Sequence, residues 1–348
     1  MISLIIPVPT RESKYLINLL NNIDELYPDR SKVEIVVVDD KDVSLSTKYN
    51  KAVSLSKGEK IILLHDDMVL QPGFIETMDK HIEKGKIITY TRVEPPLYTD
   101  LYPGKVLLDC GRDLEDFDKS KFEECKVEGE LVDGGSQLFF GCYREDYIGM
   151  DGKTFEMFCE DDDIHLRYDL AGYQRKVSPA CVYHFVSKTS RASSNSKQIE
   201  LNSNRNFIRK WGWRSSIHNK TYDIGFRVKH CNSALLEALE PWCTNILIDD
   251  EMQVLTTHYI DIEQKNTSFD LTTRILSTPF QTLNNEIIIE IDRHTFTQEE
   301  WTYLTQISDI IYESADVGEF ELGNLKVTIK EMNEYSKDLI FIENPLIL

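Results

Sequence analysis

Three short apolar runs, spaced by helical patterns, constrain this chain more than anything else in it. Residues 2–6 (ISLII), 34–38 (EIVVV) and 60–64 (KIILL) each read as a strand buried on both faces. Between the first two, Leu16, Leu19, Leu20, Ile23 and Leu26 recur at helical spacing. Between the second and third, residues 49–56 are helical in pattern and Gly58 stops them. Strand, helix, strand, helix, strand predicts a parallel sheet with right-handed crossovers. Such sheets bind their ligands beyond the carboxyl ends of the strands. Two of the runs end in polar clusters: Asp39-Asp40, and His65-Asp66-Asp67. Either cluster alone is accounted for by a turn or a helix cap. Two of them on neighbouring strand ends predict a shared site.

Adjacent carboxylates repel unless a cation lies beside them. The first strand is not followed by G-x-G-x-x-G, and G-x-x-x-x-G-K-[ST] is absent, so a phosphate here has to be held in another way. A divalent ion, Mg²⁺ or Mn²⁺, clamped by carboxylates and completed by substrate phosphates is the expected substitute. A formal net charge of −20 argues against a nucleic-acid partner. No apolar run approaches the roughly 20 residues of a membrane span. Residues 1–9 (MISLIIPVP) have neither a basic leader nor a small-residue cleavage site. The seven cysteines are scattered and form no C-x-x-C pair, which argues against a zinc site and for reduced thiols in a cytoplasmic protein.

A second constellation spans residues 155–185. Ile164, Tyr168 and Ala171 share a helix face and Gly172 ends the helix. Glu160 to Asp163 then occupy its first turn, where the helix dipole accommodates one or two negative charges but four in a row repel each other. A strand follows, ending in His184, and then a polar loop with Lys188 and Arg191.

Taken in order, "SLIIPVPTRES", "EIVVVDDKD", "SKGEKIILLHDDMVLQPGFIETM" and "FEMFCEDDDIHLRYDLAGYQ" resemble the motifs of family 2 glycosyltransferases of the GT-A fold, over residues 1 to about 190. The resemblance implies a Rossmann-like nucleotide-diphospho-sugar transferase core: a mainly parallel sheet flanked by helices. It implies a nucleotide-sugar donor, a carbohydrate or other hydroxyl acceptor, a Mn²⁺ or Mg²⁺ ion, and transfer with inversion. Asp67 aligns with the usual metal ligand and His184 with a position that completes the metal shell. Asp66 aligns with a contact to ribose or sugar, and His65 stands where an Asp is usual. Asp39 and Asp40 fall where the family grips the uracil edge, which favours UDP. Pro7, Thr10 and Arg11 lie in the nucleoside loop. Asp161 aligns with the catalytic base and Glu160 with its partner. Lys188 and Arg191 are placed to fold over the diphosphate.

"GGSQLFFGCYRED" (134–146) resembles the stretch that precedes the acceptor helix. Residues 93–130 read as an insertion on the acceptor side, where Tyr98 and Tyr102 are candidates to stack on a sugar. From residue 195 the resemblance thins, and "NSNRNFIRKWGWR" reads as a helix with Phe207, Ile208 and Trp211 inward. Helix and strand patterns from 229 to 348 predict a small α/β domain, so the expected division is 1–228 and 229–348. Acceptor binding, homo-oligomer formation and stabilisation are its candidate roles. Two rival readings remain at this stage: a nucleotide-sugar or glycan-binding module without turnover, and a nucleotidyltransferase.

Overall fold

The computed structural model describes residues 1–127, 129–135, 139–186, 188, 194–212, 221–279, 281–314 and 316–341, and structural statements refer to these. The chain forms two compact units. One holds Met1–Glu200 with Ile340 and Phe341, the other Leu201–Leu339.

In the first unit the order is β1 (Ile2–Pro7), α1 (Lys14–Leu26), β2 (Val33–Val38), α2 (Leu45–Leu55), β3 (Lys60–Leu63), β4 (Met68–Leu70), α3 (Phe74–His81) and β5 (Lys86–Glu94). Then come β6 (Lys105–Leu107), α4 (Lys119–Glu124), β7 (Val132–Asp133), β8 (Phe140–Tyr143), α5 (Glu160–Leu170) and β9 (Gln174–His184). Helix α6 (Ser196–Trp211) begins in this unit and continues into the next. The strands make a nine-stranded sheet in the order β2-β1-β3-β8-β5-β9-β4, with β6 beside β5 and β7 beside β9. Strands β1, β2, β3, β5, β6 and β9 run one way; β4, β7 and β8 run against them. The sheet is mainly parallel, as the alternating runs predicted.

The helices start where side-chain caps fix them. Ser13 Oγ accepts from the Leu16 amide at the head of α1, and Ser44 Oγ from the Thr47 amide at the head of α2. Every residue of β1 is buried, with Leu4 and Ile6 facing α1 and α3 and Ile5 facing α2 and α5. The segment expected to be an insertion shares a core with α1, β4, β5 and β9, in which Phe117 and Phe122 pack on Tyr183 and Phe185 of the β9 end. Tyr102 lies against the Arg92 guanidinium, 5.4 Å from its ring centroid, and hydrogen-bonds it. That ring is engaged in packing, whereas Tyr98 is half exposed.

The second unit contains β10 (Ile224–Lys229), α7 (Ser233–Leu239), β11 (Asn245–Ile248), α8 (Val254–Glu263), α9 (Leu271–Arg274) and β12 (Ile275–Ser277). They are followed by β13 (Ile287–Asp292), α10 (Gln298–Thr305), α11 (Ile307–Ser314), β14 (Gly318–Leu322) and β15 (Leu325–Ile329). Its sheet has the order β12-β11-β10-β13-β15-β14, the first four strands parallel. The units divide at 200/201 and not at 228/229, because β10 pairs with β11 and β13 and so belongs with the strands after it. The helical pattern over residues 297–314 is interrupted at Gln306, giving α10 and α11.

Glu240 is the electrostatic centre of this unit. It is fully buried and accepts from Arg209 (2.7 Å) and Arg274 (2.9 Å), while Arg209 also reaches Glu263 (2.6 Å). Burial pushes the Glu240 carboxyl up, but Arg274 and Arg209 outweigh it and hold the group down at about 2. Its folded value is therefore depressed. The stabilisation is present above the ordinary glutamate range, near 4.3, and is lost as pH falls through about 2. Replacing Glu240 with Gln takes the carboxylate from Arg274, leaves Arg209 only that of Glu263, and should cost about 3 kcal/mol. Urea melts at pH 7 check the loss. A melt series below pH 4 should show a shallower acid decline in the variant than in the wild type.

Candidate functional site

The carboxyl ends of β1, β2, β3, β5 and β9 lie along one edge of the first sheet, and a cavity of about 330 Å³ opens there. Pro7, Val8, Pro9, Lys48, His65, Asp66, Asp67, Glu156, Met157 and His184 are among its lining residues. Strand order explains the company they keep. Antiparallel β4 pairs Met68 with His184, which sets Asp67 beside the end of β9. Parallel β5 pairs Val93 with Tyr183, which sets Glu94 beside His184. The β5–β9 register shifts by two residues between Tyr90/Ser178 and Thr91/Cys181, at a bulge containing Pro179. Without that bulge Val182 would stand next to Glu94.

Ligand atoms of His65, Asp67 and His184 all lie within 4.8 Å of one another. His65 Nε2, Asp67 Oδ1 and His184 Nε2 are each buried without a hydrogen-bond partner. His184 Nε2 and Asp67 Oδ1, 3.4 Å apart, make an electrostatic contact only. Three converging orphaned donor atoms would be costly unless something binds them. Two imidazoles and a carboxylate suit a divalent transition ion. The other imidazole nitrogen of His184, Nδ1, is held at 2.8 Å by Glu94 Oε1, the outer carboxylate that commonly orients a metal-binding histidine. Glu94 is buried between Arg92 (3.4 Å) and Lys105 (3.8 Å).

Burial drives the His65 imidazole down to about 4, so at neutral pH it is uncharged with its lone pair available. Burial pushes Asp67 up, but His184 outweighs it and holds the carboxyl at about 2. His184 is pulled down by burial and raised further by Asp67 and Glu94, to about 9. A cation entering the site would therefore displace a proton from His184. Glu94→Gln keeps the shape and removes the orienting charge. We expect Mn²⁺ affinity, measured by calorimetry, to fall about 10- to 100-fold in that variant. Unchanged affinity would show that Glu94 does not position His184.

Pro7, Asp66, Asp67 and His184 are brought together in the cavity lining. Asp66 Oδ2 accepts from Ser13 Oγ at 2.8 Å, which ties the third strand's end to the head of α1. The remaining residues singled out in the sequence lie outside that lining. Thr10 caps its own turn through the Glu12 amide. Arg11 pairs with Asp39 at 3.1 Å and Asp40 with Lys51 at 2.8 Å. Lys188 donates its amide to Asp67 Oδ2 at 3.2 Å and sends its ammonium toward Asp113. Glu160 and Asp161 occupy the first turn of α5, directly after the Glu156–Met157 stretch that lines the cavity. Within that acidic run Asp163 is structural, fully buried against Arg167 at 2.8 Å. Arg191 lies outside the described residues.

Sequence reasoning did not group His65 with Asp67 and His184, and it did not single out Glu94 or Lys48. His65 was visible as the departure from the usual acidic motif. Glu94 and Lys48 carried no local signal. Lys48 Nζ donates to the Val8 carbonyl at 3.1 Å, and burial depresses its pKa while Asp40 and Asp39 pull it back.

Strand ends carrying carboxylates and a buried histidine thus meet on one edge of a mainly parallel sheet. The core is a mixed α/β layer structure, a mainly parallel sheet flanked by helices. No family model and no curated protein matches the sequence. Among solved structures, S. aureus TarS 1-349 is 12% identical, with 60% of this chain and 72% of that one covered at a TM-score of 0.34. GalNAc-T7 with UDP, GalNAc and Mn²⁺ is 10% identical, with 61% of this chain and 48% of that one covered at a TM-score of 0.42. At these TM-scores the reading of the site rests on its own residues. None of the described helices is long and apolar enough to cross a membrane.

Proposed function

We propose that the protein is a metal-dependent, inverting glycosyltransferase that takes a sugar from a nucleotide-diphosphate donor, UDP by preference, to a hydroxyl acceptor. The observation that carries this is the trio of orphaned buried atoms, His65 Nε2, Asp67 Oδ1 and His184 Nε2, in a cavity at the strand ends. These residues would hold the ion, with Glu94 orienting His184. When bound, it would supply positive charge to the leaving diphosphate. Pro7, Val8 and Lys48 wall the nucleoside side, and Lys48 offers N–H donors there. Asp66, locked by Ser13, presents its carboxylate to ribose or sugar hydroxyls.

Asp161 would take the acceptor hydroxyl proton as the oxygen bonds to the anomeric carbon and the bond to the diphosphate breaks on the opposite face. Glu160, buried beside it, serves as its partner. The scattered free cysteines support work in a reducing, cytoplasmic compartment.

A thermal-shift screen of nucleotide sugars with and without Mn²⁺ tests the reading. Binding at 100 times Kd stabilises the folded state by about 2.7 kcal/mol. We expect UDP-sugars to raise the melting temperature only when Mn²⁺ is present. Equal stabilisation in EDTA would remove the metal from donor binding, and no response to any nucleotide would favour a glycan-binding module.

A further inference from the structure

The second unit places another set of metal-ligating side chains at the carboxyl ends of two adjacent parallel strands. Strands β10 and β13 pair so that Lys229 lies opposite Asp292. His230 follows Lys229, and His294 lies two residues beyond Asp292. Ligand atoms of His230, Asp292 and His294 lie within 4.8 Å of one another. The two imidazoles lie with ring centroids 4.3 Å apart, their planes tilted by 44°, and His230 Nδ1 is 3.0 Å from Asp292 Oδ1. Asp249, from the end of β11, accepts the His230 and Cys231 amides at 2.8 and 3.2 Å. That grip holds His230 at a φ of +54°, a conformation uncommon for a residue with a side chain. Asp292 Oδ1 also accepts the His294 amide at 3.0 Å, which orders the turn after β13.

We propose that His230, Asp292 and His294 form a second metal site, separate from the cavity of the first unit, for a borderline divalent ion of the Zn²⁺, Co²⁺ or Ni²⁺ class. Two imidazoles and one carboxylate select such ions over Mg²⁺ or Ca²⁺. Donors sharing one tetrahedral ion stand roughly 3.4 Å apart, given metal–ligand bonds near 2.1 Å. Rotation of the two exposed imidazoles closes the gap from the present spacing. Water fills the remaining position, since the site is open. The absence of paired cysteines does not bear on this site, whose donors are nitrogen and oxygen. Bound there, the ion would cross-link the turns after β10 and β13.

The test uses the full chain carrying His65→Ala and His184→Ala, which removes two donors of the first site. Equilibrium dialysis and visible absorption should show a single Co²⁺ retained per chain, with the ligand-field bands of nitrogen and oxygen donors. Adding His230→Ala and His294→Ala should abolish that binding, and Asp292→Asn alone should weaken it at least about tenfold. His294→Gln, at an exposed position, guards against loss through misfolding, and a cooperative melt is recorded for each variant. A folded background variant that binds no Co²⁺, or one that retains it after both histidines are replaced, overturns the proposal.

Discussion

Asp67→Ala should abolish metal-dependent UDP binding and leave a cooperatively folded protein. Asp67 Oδ1 faces the histidines without a hydrogen bond, so on the proposed role its loss removes a ligand more than a structural contact. Its other oxygen accepts only the Lys188 amide among the contacts described, on a loop outside the sheet. The backbone frame of the site, built from β4, β5 and β9, does not depend on that carboxylate. We expect calorimetry with Mn²⁺ to show UDP binding at least about 100-fold weaker than wild type, in line with loss of a direct ligand where outer partners alone account for 10- to 100-fold. EDTA should bring the wild type to the same level. Equal UDP binding by the variant in EDTA and in Mn²⁺, at wild-type strength, would take Asp67 out of donor recognition.

Asp161→Asn should leave donor affinity within a few-fold of wild type and slow sugar transfer by about 10²- to 10⁴-fold, the usual contribution of a general base. The substitution is nearly isosteric at the half-buried first turn of α5, so the helix start is retained. Single-turnover transfer assays separate this from binding. Donor hydrolysis by water provides a second readout, since a base that activates the acceptor hydroxyl also activates water. Normal turnover by the variant would move the role to Glu160 or Asp162. The adjacent Asp163 serves as a control for structure: its fully buried pairing with Arg167 makes Asp163→Asn a stability variant.

Much of the fold was legible because its signals are local. The runs at 2–6, 34–38 and 60–64 became β1, β2 and β3 in parallel, and the pattern from Leu16 to Leu26 became α1. The strand after Gly172 ends at His184 as expected. Units and insertions were less legible. A boundary depends on which strands pair, and β10 shows nothing in its own composition of its bond to β13, about sixty residues downstream. The segment 93–130 read as an insertion because none of the family's motifs falls in it, yet Phe117 and Phe122 complete a core with Tyr183 and Phe185.

The sequence by itself determined the strand-end chemistry: carboxylates after β2 and β3, acids at the head of α5, and a histidine closing β9. Each depends only on where a strand or helix stops, which the residues on either side dictate. Tertiary structure alone decided which of these groups meet. Antiparallel pairing of β4 with β9 brings Asp67 to His184, and the two-residue bulge at Pro179 carries His184, in place of Val182, up to Glu94. A register shift of two keeps every side chain on its face of the sheet, so it leaves no trace in the alternation of the strand. Glu94, Lys48 and the His230–His294 pair were silent for the same reason. Their partners are distant in the chain, and only the pairing of strands and the packing of helices on the sheet supply them.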